Sequence, residues 1–147
     1  MEKIFNNINA ETINEPLNLI LPLIERGCTL GLIGELGTGK TFLTSKIAAA
    51  LGFSNIICSP TFTILNQYRH PSDGYYLNHF DMYRISEPDE LEYIGYYDYI
   101  DNSNYINIIE WADKIEKQMP VNKIIKIYIE YSKNNVEARD YYVCSKK

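Results

Sequence analysis

The alternation of apolar and polar residues predicts strands and helices in turn along the first third of the chain. Residues 3–8 alternate as an edge strand does, and apolar positions recur at helical spacing from about Asn14. The apolar run Cys28–Ile33 is typical of a buried strand, and Phe42–Leu51 has the composition of a helix. This part is therefore predicted as strand, helix, strand, helix.

The middle of the chain departs from that alternation. Asn55–Cys58 is predicted as a short strand. Phe62–Tyr68 and Tyr75–Asp81 are rich in β-forming residues and flank the turn-forming residues 70–74, which predicts an antiparallel hairpin. A fold built only from parallel strands and crossover helices would place a helix here. We therefore expect a mixed sheet rather than an all-parallel one.

The last third is predicted to add short helices and three more strands. Ser86 fits the N-cap of a helix that has acidic residues near its start. The strands are predicted at Tyr105–Ile109, Lys123–Tyr131 and Ala138–Cys144. No linker or internal repeat interrupts the pattern. Residues 1–147 are therefore predicted to form one α/β domain, in which helices flank a mixed parallel and antiparallel sheet.

The segment between the second strand and the second helix carries a phosphate-binding motif. Gly34–Thr41 reads GELGTGKT and fits G-x-x-x-x-G-K-[ST] in the required strand–loop–helix context. Glycines let successive N–H groups point inward as an anion-binding nest, to which the helix N-terminus adds partial positive charge. We therefore predict a P-loop fold that binds a nucleoside triphosphate. The predicted binding residues in this segment are Gly34, Glu35, Leu36, Gly37, Thr38, Gly39, Lys40, Thr41 and Phe42.

Composition and charge narrow the possible partners. The chain is 46% hydrophobic and 22% charged, as ordinary globular proteins are, and its net charge is −5. This acidity argues against a broad basic surface for nucleic acid, so any RNA is expected to be reached through partner proteins. Neither a signal-peptide pattern nor an apolar run of membrane-spanning length is present. We expect a cytoplasmic protein with no membrane partner.

Two acidic residues compete for the role of partner to the phosphate loop. Lys40 is expected to reach the outer phosphates, and the Thr41 hydroxyl to hold Mg²⁺. Such a site also needs a carboxylate, and Asp81 and Glu110 each end a predicted strand. Each fits a direct ligand, a water-mediated ligand or the base that orients the attacking water. The residues by themselves leave these roles open.

Three further side chains have both a structural and a functional interpretation. Thr61 follows a proline in a loop and is either a turn residue or a switch hydroxyl that meets the metal or the γ-phosphate. His79 lies inside a predicted strand and is expected to be packed or hydrogen-bonded rather than catalytic. Trp111 follows Glu110 and is either a core residue or a contact residue.

Taken together, five motifs in succession closely resemble the bacterial TsaE family, formerly called YjeE. The resemblance runs from about residue 28 to 112, with a looser match at Glu137–Arg139. The family is an ATPase needed for threonylcarbamoyl modification of the adenosine beside the anticodon in tRNAs that read codons beginning with A. It acts with the TsaB and TsaD proteins, which carry the transfer chemistry. The motifs are Gly34–Thr41, Ser59–Thr63, His79–Arg84, Asp89–Glu92 with Gly95, and Ile109–Trp111.

The resemblance implies roles for the candidate residues. Lys40 and Thr41 would bind the phosphates of ATP and Mg²⁺, and Asp81 and Glu110 would serve the metal and hydrolysis. Thr61 would be switch-like and would contact the nucleotide. The resemblance also makes Trp111 functional rather than merely buried. Turnover is expected to be slow without partners, because no separate substrate domain and no obvious arginine finger are evident in the sequence.

Two other functions share the phosphate loop. A small-molecule kinase would transfer the phosphoryl group to an acceptor, but the acidic, tyrosine-rich stretch 84–104 disfavours an anionic acceptor. A non-catalytic assembly factor would use ATP binding alone to order a docking surface. Release of phosphate separates an ATPase from the kinase, and the need for hydrolysis separates it from the assembly factor.

Overall fold

Seven strands form one mixed sheet in the computed structural model, which describes residues 1–60 and 62–146. Their order across the sheet is β1-β7-β6-β2-β5-β4-β3. In chain order the strands are β1 (Glu2–Ile8), β2 (Thr29–Ile33), β3 (Leu65–Arg69), β4 (Tyr76–Asp81), β5 (Tyr105–Glu110), β6 (Ile124–Ser132) and β7 (Asn135–Lys146).

Parallel pairing is confined to the middle of this sheet. The strand β2 pairs in parallel with both β5 and β6, and β4 pairs in parallel with β5. The pairs β3–β4, β6–β7 and β1–β7 are antiparallel. The mixed sheet and the antiparallel hairpin of β3 and β4 are thus confirmed. Because β2, β5 and β4 run in the same direction, their carboxyl ends lie at one edge, where open α/β sheets bind ligands.

Short helices connect and cover the strands. None of the helices in the described residues has the length and apolarity needed to cross a membrane. The α-helices are α1 (Asn14–Ile20), α2 (Lys40–Ala50), α3 (Glu90–Tyr93) and α4 (Tyr96–Tyr99). Two 3₁₀ segments lie at Leu21–Leu23 and Ala112–Gln118, and the second is kinked at Ile115.

The strands contribute side chains to two buried clusters. Leu30 and Leu32 of β2 belong to a cluster that includes the apolar residues of α1 and α2. Phe80 of β4 and Ile109 of β5 belong to a second cluster with buried residues between 82 and 119. Successive strand residues point to opposite faces of a sheet. Helices α1 and α2 therefore cover one face, and the residues of the second cluster that lie outside the strands cover the other.

Two local predictions are wrong. Asn55–Cys58 is not a strand, and Ile56 is 87% exposed. The hairpin strand β4 takes the position beside β5 that such a strand would need. Ser86 is not the N-cap of the following helix, because α3 begins at Glu90 after Asp89. Instead, the Ser86 hydroxyl donates to the Glu90 carboxylate at 2.9 Å.

A ladder of amides crosses three strands of the sheet. Gln67 Nε2 donates to Asn78 Oδ1 at 2.9 Å, and Asn78 Nδ2 donates to Asn107 Oδ1 at 2.9 Å. Asn107 Nδ2 then donates to the Tyr99 carbonyl at 3.0 Å. Both asparagines are fully buried, whereas Gln67 is exposed. Because buried polar groups must be paired, this ladder fixes the register of β3, β4 and β5.

Asn107→Ala should lower the free energy of unfolding by about 2 kcal/mol or more, because the buried Nδ2 group of Asn78 loses its acceptor and the Tyr99 carbonyl loses its side-chain donor. Urea unfolding of the full chain measures this loss. Gln67→Ala is the matched control at the exposed end of the ladder, where water can replace the lost amide, and should cost under about 1 kcal/mol. Equal losses for the two variants would contradict the account.

Candidate active site

The phosphate loop connects the carboxyl end of β2 to the first residue of α2. Gly37 and Gly39 have φ values of +79° and +98°, in the left-handed region that favours glycine. Leu36 is 73% exposed at the tip, whereas Thr38 is buried and donates its hydroxyl to the Glu35 carbonyl at 2.9 Å. The loop therefore has the glycine-dependent turns and the helix start that a phosphate nest requires.

Lys40 lies under the loop rather than in solvent. Its side-chain ammonium donates to the carbonyls of Gly34 at 2.6 Å and Glu35 at 2.8 Å. Burial lowers the pKa of Lys40, and the nearby Glu110 and Asp81 carboxylates oppose that shift. Two carbonyls of the phosphate loop therefore hold the ammonium in place.

Glu110 joins the loop to two strands of the sheet. Its Oε1 atom accepts a hydrogen bond from the Thr41 hydroxyl at 2.7 Å and lies 2.7 Å from His79 Nε2. Glu110 is only 3% exposed and His79 is fully buried. Within residues 1–60 and 62–146, Nδ1 of His79 has no hydrogen-bond partner. The ring is hydrogen-bonded, as expected from the sequence, and its polar contact is with the predicted catalytic acid.

Asp81 lies beside Glu110 at the same edge of the sheet. The two residues are register partners on the parallel strands β4 and β5. The carboxylate of Asp81 accepts from the Tyr83 backbone N–H at 2.9 Å and from the Ser59 hydroxyl at 3.0 Å. It is 7% exposed. Asp81 thus lines the same cleft as the phosphate loop.

The donor set at this edge fits a magnesium ion. Asp81, Glu110 and Thr41 supply two carboxylates and a hydroxyl, which are the oxygen ligands that Mg²⁺ prefers. In the described part of the chain, neither carboxylate has a lysine or arginine within ion-pair distance. Lys40 is the nearby cation whose charge interacts with both carboxylates.

The indole ring of Trp111 lies against the Lys40 ammonium. Lys40 Nζ lies 4.1 Å from the centre of the indole ring, and the centres of the Tyr83 and Trp111 rings are 5.0 Å apart. The backbone of Trp111 has a φ of +57°, which is unusual for a bulky residue and typical of strain held at functional sites. The indole is thus part of the wall of the cleft, between the lysine and solvent.

The structure brings most of the predicted site residues to one cleft of about 390 Å³. Gly34, Glu35 and Thr38 instead line the adjacent side of the loop. Thr61 lies outside the described residues, so its predicted role stays a prediction. The cleft is lined by Leu36, Gly37, Gly39, Lys40, Thr41, Phe42, Ser59, Asp81, Tyr83, Glu110 and Trp111.

Two residues of this cleft had no role predicted from the sequence, and the partner of the buried His79 was also not predicted. Ser59 and Tyr83 line it through their contacts with Asp81. Both stand within the motifs that carry the family resemblance, which was the available signal. The contact of His79 with Glu110 was not visible, because it depends on the pairing of β4 with β5.

Comparison with known proteins identifies relatives across most of the chain. The family model described as "Threonylcarbamoyl adenosine biosynthesis protein TsaE" matches residues 8–141. The Haemophilus influenzae protein named "tRNA threonylcarbamoyladenosine biosynthesis protein TsaE" is 36% identical over 107 residues, which are 73% of this chain and 65% of that protein. The Bacillus subtilis protein of the same name is 36% identical over 121 residues, which are 82% of this chain and 73% of that protein.

A solved structure shows the same architecture. The crystal structure of Bacillus subtilis YdiB superposes with a TM-score of 0.74 at 28% sequence identity, over 100% of this chain and 87% of that chain. The predicted P-loop fold with a mixed sheet and flanking helices is thereby confirmed. Since the family model covers residues 8–141 and the relatives agree with it, the chain belongs to the TsaE family of tRNA threonylcarbamoyladenosine biosynthesis.

Proposed function

We propose that this protein is a magnesium-dependent ATPase that supports threonylcarbamoyl modification of the tRNA adenosine beside the anticodon. The observation that carries the proposal is the hydrogen bond of 2.7 Å between the Thr41 hydroxyl and the Glu110 carboxylate. It joins the start of the phosphate-loop helix to a buried acid on the neighbouring strand. Water-orienting or metal-binding carboxylates occupy this position relative to the loop in P-loop NTPases.

The chemistry would be attack of water on the γ-phosphate of ATP. Lys40 and the loop N–H groups would stabilise the negative charge that develops on the transferred group. Thr41 can offer a lone pair to Mg²⁺ while its proton still donates to Glu110. Mg²⁺, when bound, neutralises phosphate charge, and Thr41 and Asp81 would help to hold it. Glu110, one hydrogen bond from the metal ligand, would orient the attacking water.

A second cavity beside the loop would take the nucleoside. It has a volume of about 260 Å³ and continues from Thr38 and Gly39 towards β1 and β7. Apolar and aromatic residues line it together with four polar ones, Asn9, Thr38, Glu137 and Arg139. The phosphates and the base would then lie on two sides of Phe42, which lines both cavities. The remaining lining residues include Ile8, Ala10 and Tyr141.

The partners would be the TsaB and TsaD proteins, with tRNA reached only through that complex. The net charge of −5 supports protein partners over direct RNA contact. Tyr93 and Tyr97 of the two short helices are 91% and 51% exposed, and exposed tyrosines are enriched at protein interfaces. A cytoplasmic location is part of this proposal, since the modification acts on tRNA.

Glu110→Gln should lower the rate of ATP hydrolysis by about a hundredfold or more, because the amide cannot accept a proton from the attacking water. Nucleotide affinity should change much less, since the amide oxygen can still accept from Thr41. Release of phosphate and calorimetric binding of ADP measure the two effects. Glu25→Gln is the control, because Glu25 is exposed and precedes the first residue of β2, at the end of the strand away from the phosphate loop. It should change neither the hydrolysis rate nor the nucleotide affinity.

The same assay separates the other functions. An ATPase releases phosphate without an acceptor, whereas a kinase accumulates a phosphorylated product. If tRNA modification in cells survives Glu110→Gln, ATP binding alone is the function and the protein is an assembly factor. The TsaB–TsaD pair should raise the turnover rate, and identical rates with and without the pair would count against activation by partners.

Binding of Mg²⁺ and ATP should change the intrinsic emission of Trp111, which is the single tryptophan of the chain. Its ring contacts the Lys40 ammonium, and a phosphate group that attracts this ammonium alters the charge beside the indole. A fluorescence titration should show a saturable change, and Trp111→Phe should abolish it. Calorimetric binding without any change in emission would contradict this placement of the lysine.

His79→Leu should reduce the hydrolysis rate by about tenfold, because Glu110 then keeps only one of its two hydrogen bonds and loses orientation. His79→Gln places an N–H donor at a similar reach and should retain most of the rate. Steady-state kinetics of both variants, with thermal melting of each, separate orientation from folding. Equal loss in both variants at unchanged stability would contradict a positioning role for His79.

A further inference from the structure

The hairpin of β6 and β7 contacts the back of the phosphate loop through two side chains. The Tyr131 hydroxyl donates to the Leu36 carbonyl at 2.8 Å. Arg139 donates from Nε to the Thr38 carbonyl at 3.2 Å and from Nη2 to the Gly37 carbonyl at 3.3 Å. Three successive carbonyls of the loop are therefore bonded to residues about a hundred positions away in the chain.

These two side chains are themselves held in place. Tyr131 and Arg139 are register partners on β6 and β7, and the guanidinium carbon lies 4.3 Å from the centre of the tyrosine ring. The remaining nitrogen, Nη1, donates to the carbonyls of Val136 at 2.8 Å and Ala138 at 2.9 Å. The planar guanidinium is thus fixed by stacking and hydrogen bonds before it reaches the loop, which lowers the entropic cost of its contacts.

Two loop glycines allow this close approach. A Cβ atom on Gly34 would lie 2.4 Å from the Ile129 carbonyl oxygen of β6, which is closer than any side chain can be. A Cβ atom on Gly37 would lie 2.8 Å from the Tyr131 hydroxyl oxygen, at a φ of +79°. The glycines of the motif therefore serve the contact with the hairpin as well as the turn around the phosphates.

We propose that Tyr131 and Arg139, here called the hairpin brace, are positioning residues that hold the phosphate loop in its anion-binding conformation. A nest presents its N–H groups to the ligand, so the intervening carbonyls must point away from it. The brace satisfies three such carbonyls at Leu36, Gly37 and Thr38. This role rests on the proposed function, because the ligand of the braced loop is a nucleotide phosphate.

The location of the brace predicts an effect on affinity rather than on global stability. Leu36 is 73% exposed and Tyr131 is 43% exposed. Water can therefore replace the hydrogen bond between Tyr131 and Leu36 in the free protein, at little net cost. A loop released from the brace would sample other conformations, and binding would have to order it again. The loss then appears in nucleotide affinity and in the local order of the loop.

Calorimetric titration with ADP and MgCl₂ tests the brace. Tyr131→Phe keeps the ring that stacks on the guanidinium but loses the hydroxyl, and should weaken affinity about fivefold, the equivalent of one net hydrogen bond. Arg139→Lys keeps the charge but loses the fork, and should weaken affinity about tenfold. Because Arg139 also lines the cavity proposed for the nucleoside, hydrogen exchange without nucleotide is the measurement that assigns this loss to the brace. Amide hydrogen exchange of the nucleotide-free variants should become faster within residues 35–39 and remain unchanged in β2 and α2.

Tyr142→Phe on β7 and Arg69→Lys on the edge strand β3 are matched controls and should alter neither measurement. The brace is overturned if both brace variants bind like the wild type, or if their exchange rises equally throughout the protein. If the wild type itself binds no magnesium nucleotide, the proposed function fails. Hydrogen exchange of the nucleotide-free variants then tests the hairpin brace by itself. Unchanged exchange at residues 35–39 overturns the brace, and faster exchange confined to those residues supports it.

Discussion

The hydrogen bond between the Thr41 hydroxyl and the Glu110 carboxylate is the contact on which the arrangement of the site depends. It exists because β2 and β5 are parallel neighbours, so that the loop after one strand meets the acid at the end of the other. His79 on β4 holds the same oxygen from the buried side. In the described part of the chain, no lysine or arginine lies within ion-pair distance of this carboxylate, so these two hydrogen bonds compensate for its burial.

The hairpin of β3 and β4 explains how the second acid reaches the same place. Because β4 pairs with β5, Asp81 becomes the register partner of Glu110 at the edge of the sheet. Residues 53–60 lie outside the sheet, and Ser59 in that segment donates to Asp81. The parallel pairing of β4 with β5 therefore places Asp81 beside Glu110, where Ser59 of the preceding loop can contact it.

The phosphate loop is held on two sides by different chemistry. On the side of the cleft, Glu110 accepts from Thr41, and the Trp111 ring covers Lys40. On the other side, the β6–β7 hairpin donates to the loop carbonyls through Arg139 and Tyr131. Exposed loops are ordinarily mobile. Here the contacts on both sides reduce the conformational entropy that binding has to remove.

The phosphate loop, the strand–loop–helix unit around it and the antiparallel hairpin could be predicted from the amino-acid sequence, because they depend on local spacing and on residue type. Asp81 and Glu110 could also be recognised from the sequence as acids at strand ends. The order of β2, β5 and β4 is a long-range property, so it is the folded chain that brings both acids to the loop. The strand predicted at Asn55–Cys58 failed for the same reason, since local β propensity does not show whether a place in the sheet is free. The contacts of His79 with Glu110 and of Arg139 with the phosphate loop depend on pairing between distant strands, which no local pattern records.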